Sequence, residues 1–369
     1  MCSRALLAGN LKGADLNFLS PSPSRTQLLL CSAAHLRRLK CGNPPMLSVL
    51  EILKKTTDFF AAKGIDNARL NAELIIGHSL GLKRMQLYLQ FERLLTETEL
   101  EKLRPLVRRR AQREPLQYVT GEVEWGGLRL KTDRRALIPR VETELLLEII
   151  PGAFASAVAG RTGAAAPTPS DTHDAPRATD SISPPDGTDV PVPPGPRAIL
   201  DLGTGSGALA LGLATVFPDA RVTALDVSAD ALALARENAA LAGLDERVRF
   251  ARSDWFAALR DGTVNASGGF DVIVANPPYL SAAEVAESAP EVREFEPRTA
   301  LASADEGKAD LAKIIAGAPE FLREGGLLAL ETGIAQHPAL LALCEAAGFA
   351  RSESRKDLAG RERFVLAWR

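Results

Sequence analysis

The spacing of hydrophobic positions changes character along the chain. From Met46 to about Arg113 it is helical: Ser48 and Glu51 stand at capping-box separation, Ile52, Leu53, Phe59 and Phe60 follow, and Gly64 stops the run. A second helix is predicted from Asp66, carrying Leu70, Leu74 and Ile75. Thr96 and Glu99 repeat the capping box ahead of Leu100, Leu103 and Val107, and Pro105 is expected to kink that helix or to begin a new one. Residues 123–125 and 128–131 flank Gly126-Gly127 and predict a hairpin, with a short helix after it over 142–150. From residue 197 apolar strands alternate with helical patterns, the signature of a doubly wound parallel sheet. Strands are predicted at 198–202, 221–226, 248–251, 271–275 and 327–331, closed by an antiparallel pair at 351–354 and 363–368.

Two stretches lack this order. Residues 151–196 hold ten prolines among Ala, Ser, Thr and Asp, with almost no large apolar side chains. Such a segment cannot offset its ordering entropy and is expected to be a disordered insert. Residues 1–45 carry six Lys or Arg against one acid and are serine-rich. That composition fits an organelle transit peptide, or sequence upstream of a start at Met46, and the second origin is the favoured expectation. The domains expected are a basic extension over 1–45, a helical substrate-docking unit over 46–120, a hairpin and joint over 121–150, the insert over 151–196 and a catalytic unit over 197–369.

Charge and composition narrow the class. The 369 residues carry 44 Lys and Arg against 46 Asp and Glu, a formal charge of −2. Residues 1–45 account for +5 and 46–120 for +4, which leaves −11 on 121–369. Lys102, Arg104, Arg108, Arg109, Arg110 and Arg113 concentrate the helical unit's charge, as a solvated face or as a docking surface for an acidic partner. No run of 18 apolar residues exists, which excludes a membrane-spanning helix read from hydropathy. The four cysteines and four histidines lack ligand spacing, so neither a disulfide framework nor a metal site is expected.

Chemistry concentrates at the carboxyl ends of the predicted strands. The first runs directly into Gly203-Thr204-Gly205-Ser206-Gly207, a turn that lets backbone approach a ligand at a helix N-terminus. Asp226 closes the second strand, placed to take two ribose hydroxyls. These residues indicate a nucleoside-bearing cofactor without saying which one.

The fourth strand leads into Asn276-Pro277-Pro278-Tyr279. An amide nitrogen is a poor nucleophile because its lone pair is delocalised, as the ~18–20 kcal/mol barrier to amide rotation attests. A catalyst must hold both its hydrogens and aim the emerging lone pair at an electrophile. The Asn276 side-chain oxygen and the Pro277 carbonyl are two suitable acceptors. The prolines fix that backbone without a competing N–H, and Tyr279 offers a flat wall for a planar group. No strong general base is required.

Together these residues resemble the class I S-adenosylmethionine-dependent methyltransferases acting on planar nitrogen. Glu114-Pro115-Leu116-Gln117-Tyr118-Val119-Thr120-Gly121, Leu137-Ile138-Pro139-Arg140 with Glu142-Thr143-Glu144, Ser253-Asp254-Trp255-Phe256, and Phe295-Glu296-Pro297 with Thr299-Ala300-Leu301 resemble, in order and spacing, the HemK family. The resemblance runs from Met46 to Arg369, broken only by the insert. It implies a Rossmann-like, mostly parallel seven-stranded sheet preceded by a small helical bundle. It implies methyl transfer from S-adenosyl-L-methionine to the side-chain amide of the glutamine in the Gly-Gly-Gln motif of class I peptide chain release factors. Gly203, Thr204, Gly205, Ser206 and Gly207 would wrap the methionine portion, Asp226 would hold the ribose, and Trp255 beside Asp254 would flank the adenine. Asn276 would touch both cofactor and substrate, with Pro277, Pro278 and Tyr279 lining the glutamine pocket. Glu296 and Pro297 are expected to shape a loop, and Arg140, Glu142 and Trp125 to edge the cleft.

Three other readings compete. Methylation of a glutamine in a large-subunit ribosomal protein shares the motif, although Phe295 ahead of Glu296-Pro297 leans toward release factors. DNA adenine methylation would use the same motif on a flipped base, but the acidic catalytic half opposes a phosphate backbone. A non-catalytic scaffold is opposed by the presence of every expected reactive position. The expectation is a monomer without direct nucleic-acid binding, in the bacterial cytoplasm, or in a mitochondrion or plastid if residues 1–45 are a transit peptide.

Overall fold

The computed structural model describes residues 46–162 and 195–369. The expected extension over 1–45 and most of the expected insert, 163–194, lie outside the described residues. The chain divides into two units at Thr120 and Gly121.

The first unit contains α1 (Val49–Ala62), α2 (Ala68–Leu80), α3 (Arg84–Tyr88), α4 (Glu97–Ala111) and α5 (Leu116–Thr120). Both capping boxes form. The Ser48 amide donates to the Glu51 carboxylate at 2.8 Å and the Thr96 amide to that of Glu99 at 2.9 Å, so two helix starts are set locally. Helix α4 runs unbroken through Pro105, which is exposed, so the carbonyl its missing N–H leaves unpaired can be hydrated. The apolar interior is built from Ile52, Leu53 and Phe60 of α1, Ile75 and Ile76 of α2, and Leu103 and Val107 of α4. Leu70 and Leu74, expected on the inner face, are instead 39% and 37% exposed. The buried side of α2 is set by Ala72, Ile75 and Ile76, and it includes the carboxylate of Glu73. Tyr88 Oη (2.6 Å), Arg69 Nε (2.9 Å) and Arg84 Nε (2.6 Å) donate to that carboxylate. Burial alone would raise the Glu73 pKa, but these three donors outweigh it and hold the group below its ordinary value.

The basic stretch is largely tied inward. Arg109 is bidentate to Glu114 at 2.9 Å and donates to the Tyr118 carbonyl at 2.8 Å; buried Arg110 reaches Asn71 Oδ1 at 2.8 Å; Arg113 donates to the Gly64 carbonyl. Of the run from 108 to 113, these arginines hold the end of α4 to its own unit and do not form a free docking face.

The second unit begins with β1 (Glu122–Trp125) and β2 (Leu128–Lys131), an antiparallel hairpin turned at Gly126 and Gly127, both at positive φ. Helix α6 (Val141–Thr162) follows. It overruns the expected start of the insert at Pro151, because Ala153 and Phe154 are buried in the sheet's core and the Ala153 carbonyl accepts from Trp368 Nε1 at 3.4 Å. Then come β3 (Ala198–Leu202), α7 (Ala208–Val216), β4 (Arg221–Asp226), α8 (Ala229–Ala242), β5 (Val248–Arg252), α9 (Ala257–Arg260) and β6 (Phe270–Ala275). The remainder is α10 (Ala282–Glu287), α11 (Pro290–Phe295), α12 (Ala309–Phe321), β7 (Leu322–Glu331), α13 (His337–Ala346), β8 (Arg351–Lys356) and β9 (Glu362–Trp368).

The seven-stranded sheet has the order β5-β4-β3-β6-β7-β9-β8. Strands β5, β4, β3, β6 and β7 run parallel to one another, and β9 runs antiparallel to both β7 and β8. Alternation sorts the side chains: Ile199, Val272 and Val274 pack on the face that holds Trp125, Leu146 and Leu211, while Leu200, Leu202 and Ile273 pack on the face that holds Ile314 and Leu328. Chain order reverses at β3, between β4 and β6, so the carboxyl edge opens a crevice there. Ile273→Ala in the central strand is expected to cost the second unit about 2–5 kcal/mol. That loss should appear as a lower urea midpoint with an unchanged slope for that unit's transition.

Candidate active site

The crevice holds a cavity of about 280 Å³, near the lower end of ligand-pocket sizes. Its first wall is the turn after β3. Gly203 has φ +70° and a Cβ there would meet the Trp255 ring at 3.4 Å, so glycine satisfies both the turn and the close approach. The Gly203 and Thr204 amides donate to the Leu225 carbonyl at 2.8 and 3.0 Å, which pins the turn to the end of β4. Thr204 Oγ1 (2.6 Å) and the Ala210 amide (3.1 Å) both donate to Asp201 Oδ2.

Asp226 reaches back from β4 to the same turn. Its Oδ2 accepts from the Gly205 amide and its Oδ1 from the Ser228 amide, each at 2.8 Å. Each oxygen keeps a further lone pair, which is what a vicinal diol requires. Burial raises the Asp226 pKa against those backbone donors. The end of β5 brings Asp254, exposed, and Trp255, half-buried with φ +46°, whose Nε1 donates to Asp310 Oδ1 at 3.3 Å.

The opposite wall follows β6. Asn276 is half-buried, and its Nδ2 donates to Thr143 Oγ1 at 3.1 Å. Thr143 in turn donates to Glu331 Oε2 at 2.6 Å, and Tyr279 Oη donates to Glu331 Oε1 at 3.0 Å. Burial, reinforced by the Glu331 charge, pushes the Tyr279 hydroxyl well above its ordinary value, so it stays protonated. Glu331 is itself raised by burial, opposed by these two hydroxyls and by Arg363. Beside this wall Arg140 pairs with buried Glu296 at 2.7 Å, and Arg134 lies over the Phe295 ring at 4.7 Å. Burial raises Glu296, with Arg140 opposing.

Most of the residues singled out in the sequence meet in this cavity. Gly203, Thr204, Gly205, Ser206, Asp226, Asp254, Trp255, Asn276, Pro277 and Pro278 all line it, and so do Trp125 and Arg140. Gly207 and Tyr279 do not. Gly207 sits behind the turn, where a Cβ would meet Ala235 Cβ at 3.2 Å, so its side of the turn serves the packing of α7 on α8. Tyr279 is drawn away by Glu331, and its carbonyl accepts from Gln336 Nε2 at 2.9 Å, so it backs the wall in place of forming it. Glu142 is not a lining residue either; it lies 3.5 Å from Arg361.

Asp201 and Thr143 also line the cavity and carried no assignment from the sequence. Asp201 Oδ1 is buried without a hydrogen-bond partner. Burial foremost, with the Asp226 charge adding, pushes its carboxyl up to about 7 against the Thr204 and Ala210 donors. A polar position ending a strand just before the glycine turn is the signal that could have found it. An orphaned carboxylate oxygen on a wall shared with Asp226, Asp254 and Asp310 suits a ligand with fixed positive charge. S-adenosylmethionine has that chemistry, with a sulfonium and an ammonium, a ribose diol for Asp226 and a flat base for Trp255. Among the described residues no His, Cys, Asp and Glu cluster suited to a metal ion occurs.

A parallel sheet reversing at β3, a glycine turn there and an acidic cavity at its edge define a Rossmann-like domain for a nucleoside-bearing cofactor, and the family matches make it that of an S-adenosylmethionine-dependent methyltransferase. Residues 51–121 match the family model of the PrmC N-terminal domain, and residues 197–353 match that of a methyltransferase domain. The release factor glutamine methyltransferase of Chlorobaculum tepidum is 46% identical over 285 residues, 77% of this chain and 85% of its own. That of Deinococcus radiodurans is 38% identical over 323 residues, 88% and 99%, and that of Geobacter sulfurreducens 35% over 322 residues, 87% and 97%. The chain belongs to the release factor glutamine methyltransferase family.

The raised Asp201 pKa sets a pH dependence. A folded carboxyl at about 7, against ~3.9 for an unperturbed one, holds its proton more tightly than the unfolded chain does. Its contribution to stability is therefore greatest at low pH and falls as pH climbs from about 4 through 7. A cationic ligand favours the ionised form, so affinity for S-adenosylmethionine is expected to tighten from pH 6 to 7.5. Asp201→Asn should flatten that slope, which calorimetric titration across the range would read.

Proposed function

We propose that this protein transfers the methyl group of S-adenosylmethionine to the side-chain amide nitrogen of the glutamine in the Gly-Gly-Gln motif of class I release factors. The observation that carries the reading is Asn276, held at the carboxyl edge of β6 on the same cavity as the glycine turn and Asp226. In this reading the turn over 203–206 and Asp201 hold the amino-acid end of the cofactor, Asp226 the ribose, and Trp255 with Asp254 the adenine. Asn276 Oδ1 and the Pro277 carbonyl accept the two amide hydrogens, with Pro278 completing the pocket.

The donor supplies an electrophilic methyl on a sulfonium. The protein holds the glutamine nitrogen in line with it, and most of the acceleration comes from that positioning. Positive charge develops on nitrogen as the bond forms, and two fixed carbonyl dipoles stabilise it more than water could, because they need no reorganisation. The extra proton is then acidic and leaves without a dedicated base. The charge of −11 over residues 121–369 disfavours a nucleic-acid substrate. Among the described residues no helix is long and apolar enough to cross a membrane. A protein acting on release factors works where translation terminates, in the bacterial cytoplasm.

With labelled S-adenosylmethionine and a purified class I release factor, label is expected on the Gly-Gly-Gln glutamine alone. Ribosomal protein and unmethylated DNA are the parallel substrates, and label on either in place of the release factor would overturn the reading. Asn276→Ala should lower turnover by about 10²–10³-fold, the scale for losing one fixed charge-stabilising group, and leave cofactor affinity within a few-fold.

A further inference from the structure

We infer that Glu331, acting through Thr143, is the positioning residue that turns the Asn276 amide so that its oxygen, and not its nitrogen, faces the substrate. The inference rests on the function proposed above and assigns a part of it to two residues outside the Asn-Pro-Pro-Tyr motif.

The argument is about which atom owns each hydrogen. Glu331 ends β7, 1% exposed, one position beyond the Ala275–Leu330 pair that joins β6 to β7. Both hydroxyls against the carboxylate donate to it, Tyr279 Oη to Oε1 at 3.0 Å and Thr143 Oγ1 to Oε2 at 2.6 Å, so each of its oxygens acts as an acceptor. Thr143 has one hydroxyl hydrogen, and Glu331 takes it. Toward Asn276 the Thr143 oxygen can then only accept, so Asn276 must present Nδ2, as it does at 3.1 Å. Its Oδ1 is then the end not committed to Thr143, on a residue that lines the cavity. An amide flipped the other way would set oxygen against oxygen at Thr143 and offer the incoming glutamine an N–H where it needs an acceptor. The two ends of an asparagine amide are nearly the same size, so packing alone discriminates between them poorly. A one-directional hydrogen-bond chain discriminates by charge.

That directionality gives a test that preserves side-chain volume. Arg363 Nη1 donates to Tyr279 Oη at 3.4 Å, so the tyrosine hydrogen needs an acceptor at position 331; Glu331→Gln meets it with its oxygen, turns its NH2 toward Thr143, reverses the chain and frees the Thr143 hydrogen to point at position 276. In that background Asn276 is turned the wrong way, and kcat is expected to fall by about 10²-fold, the scale of a misplaced reacting group. Asn276→Asp alone sets a carboxylate against a Thr143 oxygen that has no hydrogen to give, and a comparable loss is expected. In the E331Q/N276D double variant the reversed chain donates to the new carboxylate, whose other oxygen accepts from the substrate. Its kcat should recover at least tenfold over Asn276→Asp, with the Kd for S-adenosylmethionine and the melting temperature recorded for all four proteins.

If Glu331 served only packing, the double variant would be no better than the worse single one, and that result overturns the inference. So does wild-type turnover in Glu331→Gln. In either case the function still stands, provided the wild type labels the release factor and Asn276→Ala labels it about 10²–10³-fold more slowly. A wild type that leaves the release factor unlabelled, while binding the cofactor, takes down both.

Discussion

Parallel pairing of β3 with β6 is the constraint on which the site depends. It sets Leu202 beside Ala275, so the next residue on each strand, Gly203 and Asn276, leaves the sheet at the same edge although 73 residues separate them in the chain. The cofactor turn and the acceptor for the nucleophile then lie on one cavity without any loop having to reach across the molecule. Strand β4, on the other side of β3, adds Asp226 by the same logic. Strand β7, beside β6, adds Glu331 behind Asn276. With Asp254 and Trp255 from the end of β5, the site is the carboxyl edge of five adjacent strands, and its precision is that of the sheet.

Burial at this edge opposes stability. Asp201, Glu331 and Glu296 are all nearly inaccessible carboxyls, and burial raises each of them above the ordinary carboxylate range. Uncompensated carboxylates in such places are expensive. Here Glu331 takes two hydroxyl donors and Glu296 takes Arg140, whereas Asp201 keeps one oxygen unpartnered. Groups left unsatisfied or held by strained directional bonds cluster where function needs a preset electrostatic environment. The apolar packing on both faces of the sheet supports them.

The helical unit follows a different plan. Several of its arginines are engaged with its own backbone and side chains, Arg109 with Glu114 and Tyr118, Arg110 with Asn71, Arg113 with Gly64, and Arg69 and Arg84 with Glu73, while Lys102 and Arg108 are exposed. Positive charge in a sequence window therefore says little about a free surface. The guanidinium's several donors make it as useful for closing helix ends and loops as for meeting a partner.

Local chemistry was legible in the sequence. Short apolar runs between helical patterns located the strands, although β7 begins at Leu322 and not at the expected 327; capping boxes located the starts of α1 and α4, and glycine and proline marked the turns at 126–127, 203–207 and 276–279, because each of these signals depends only on neighbours along the chain. What lay beyond reach was set by neighbours in space. The continuation of α6 past Pro151 depends on Ala153 and Phe154 meeting the sheet; the exposure of Leu70 and Leu74 depends on which side of α2 the other helices cover. Whether Gly207 and Tyr279 face the cavity or back it depends on Ala235 and Glu331. Thr143 is 188 residues from Glu331 and 133 from Asn276, and no spacing rule joins them. Only strand order and helix packing bring those three side chains within hydrogen-bond reach, and that is where the orientation of the Asn276 amide is decided.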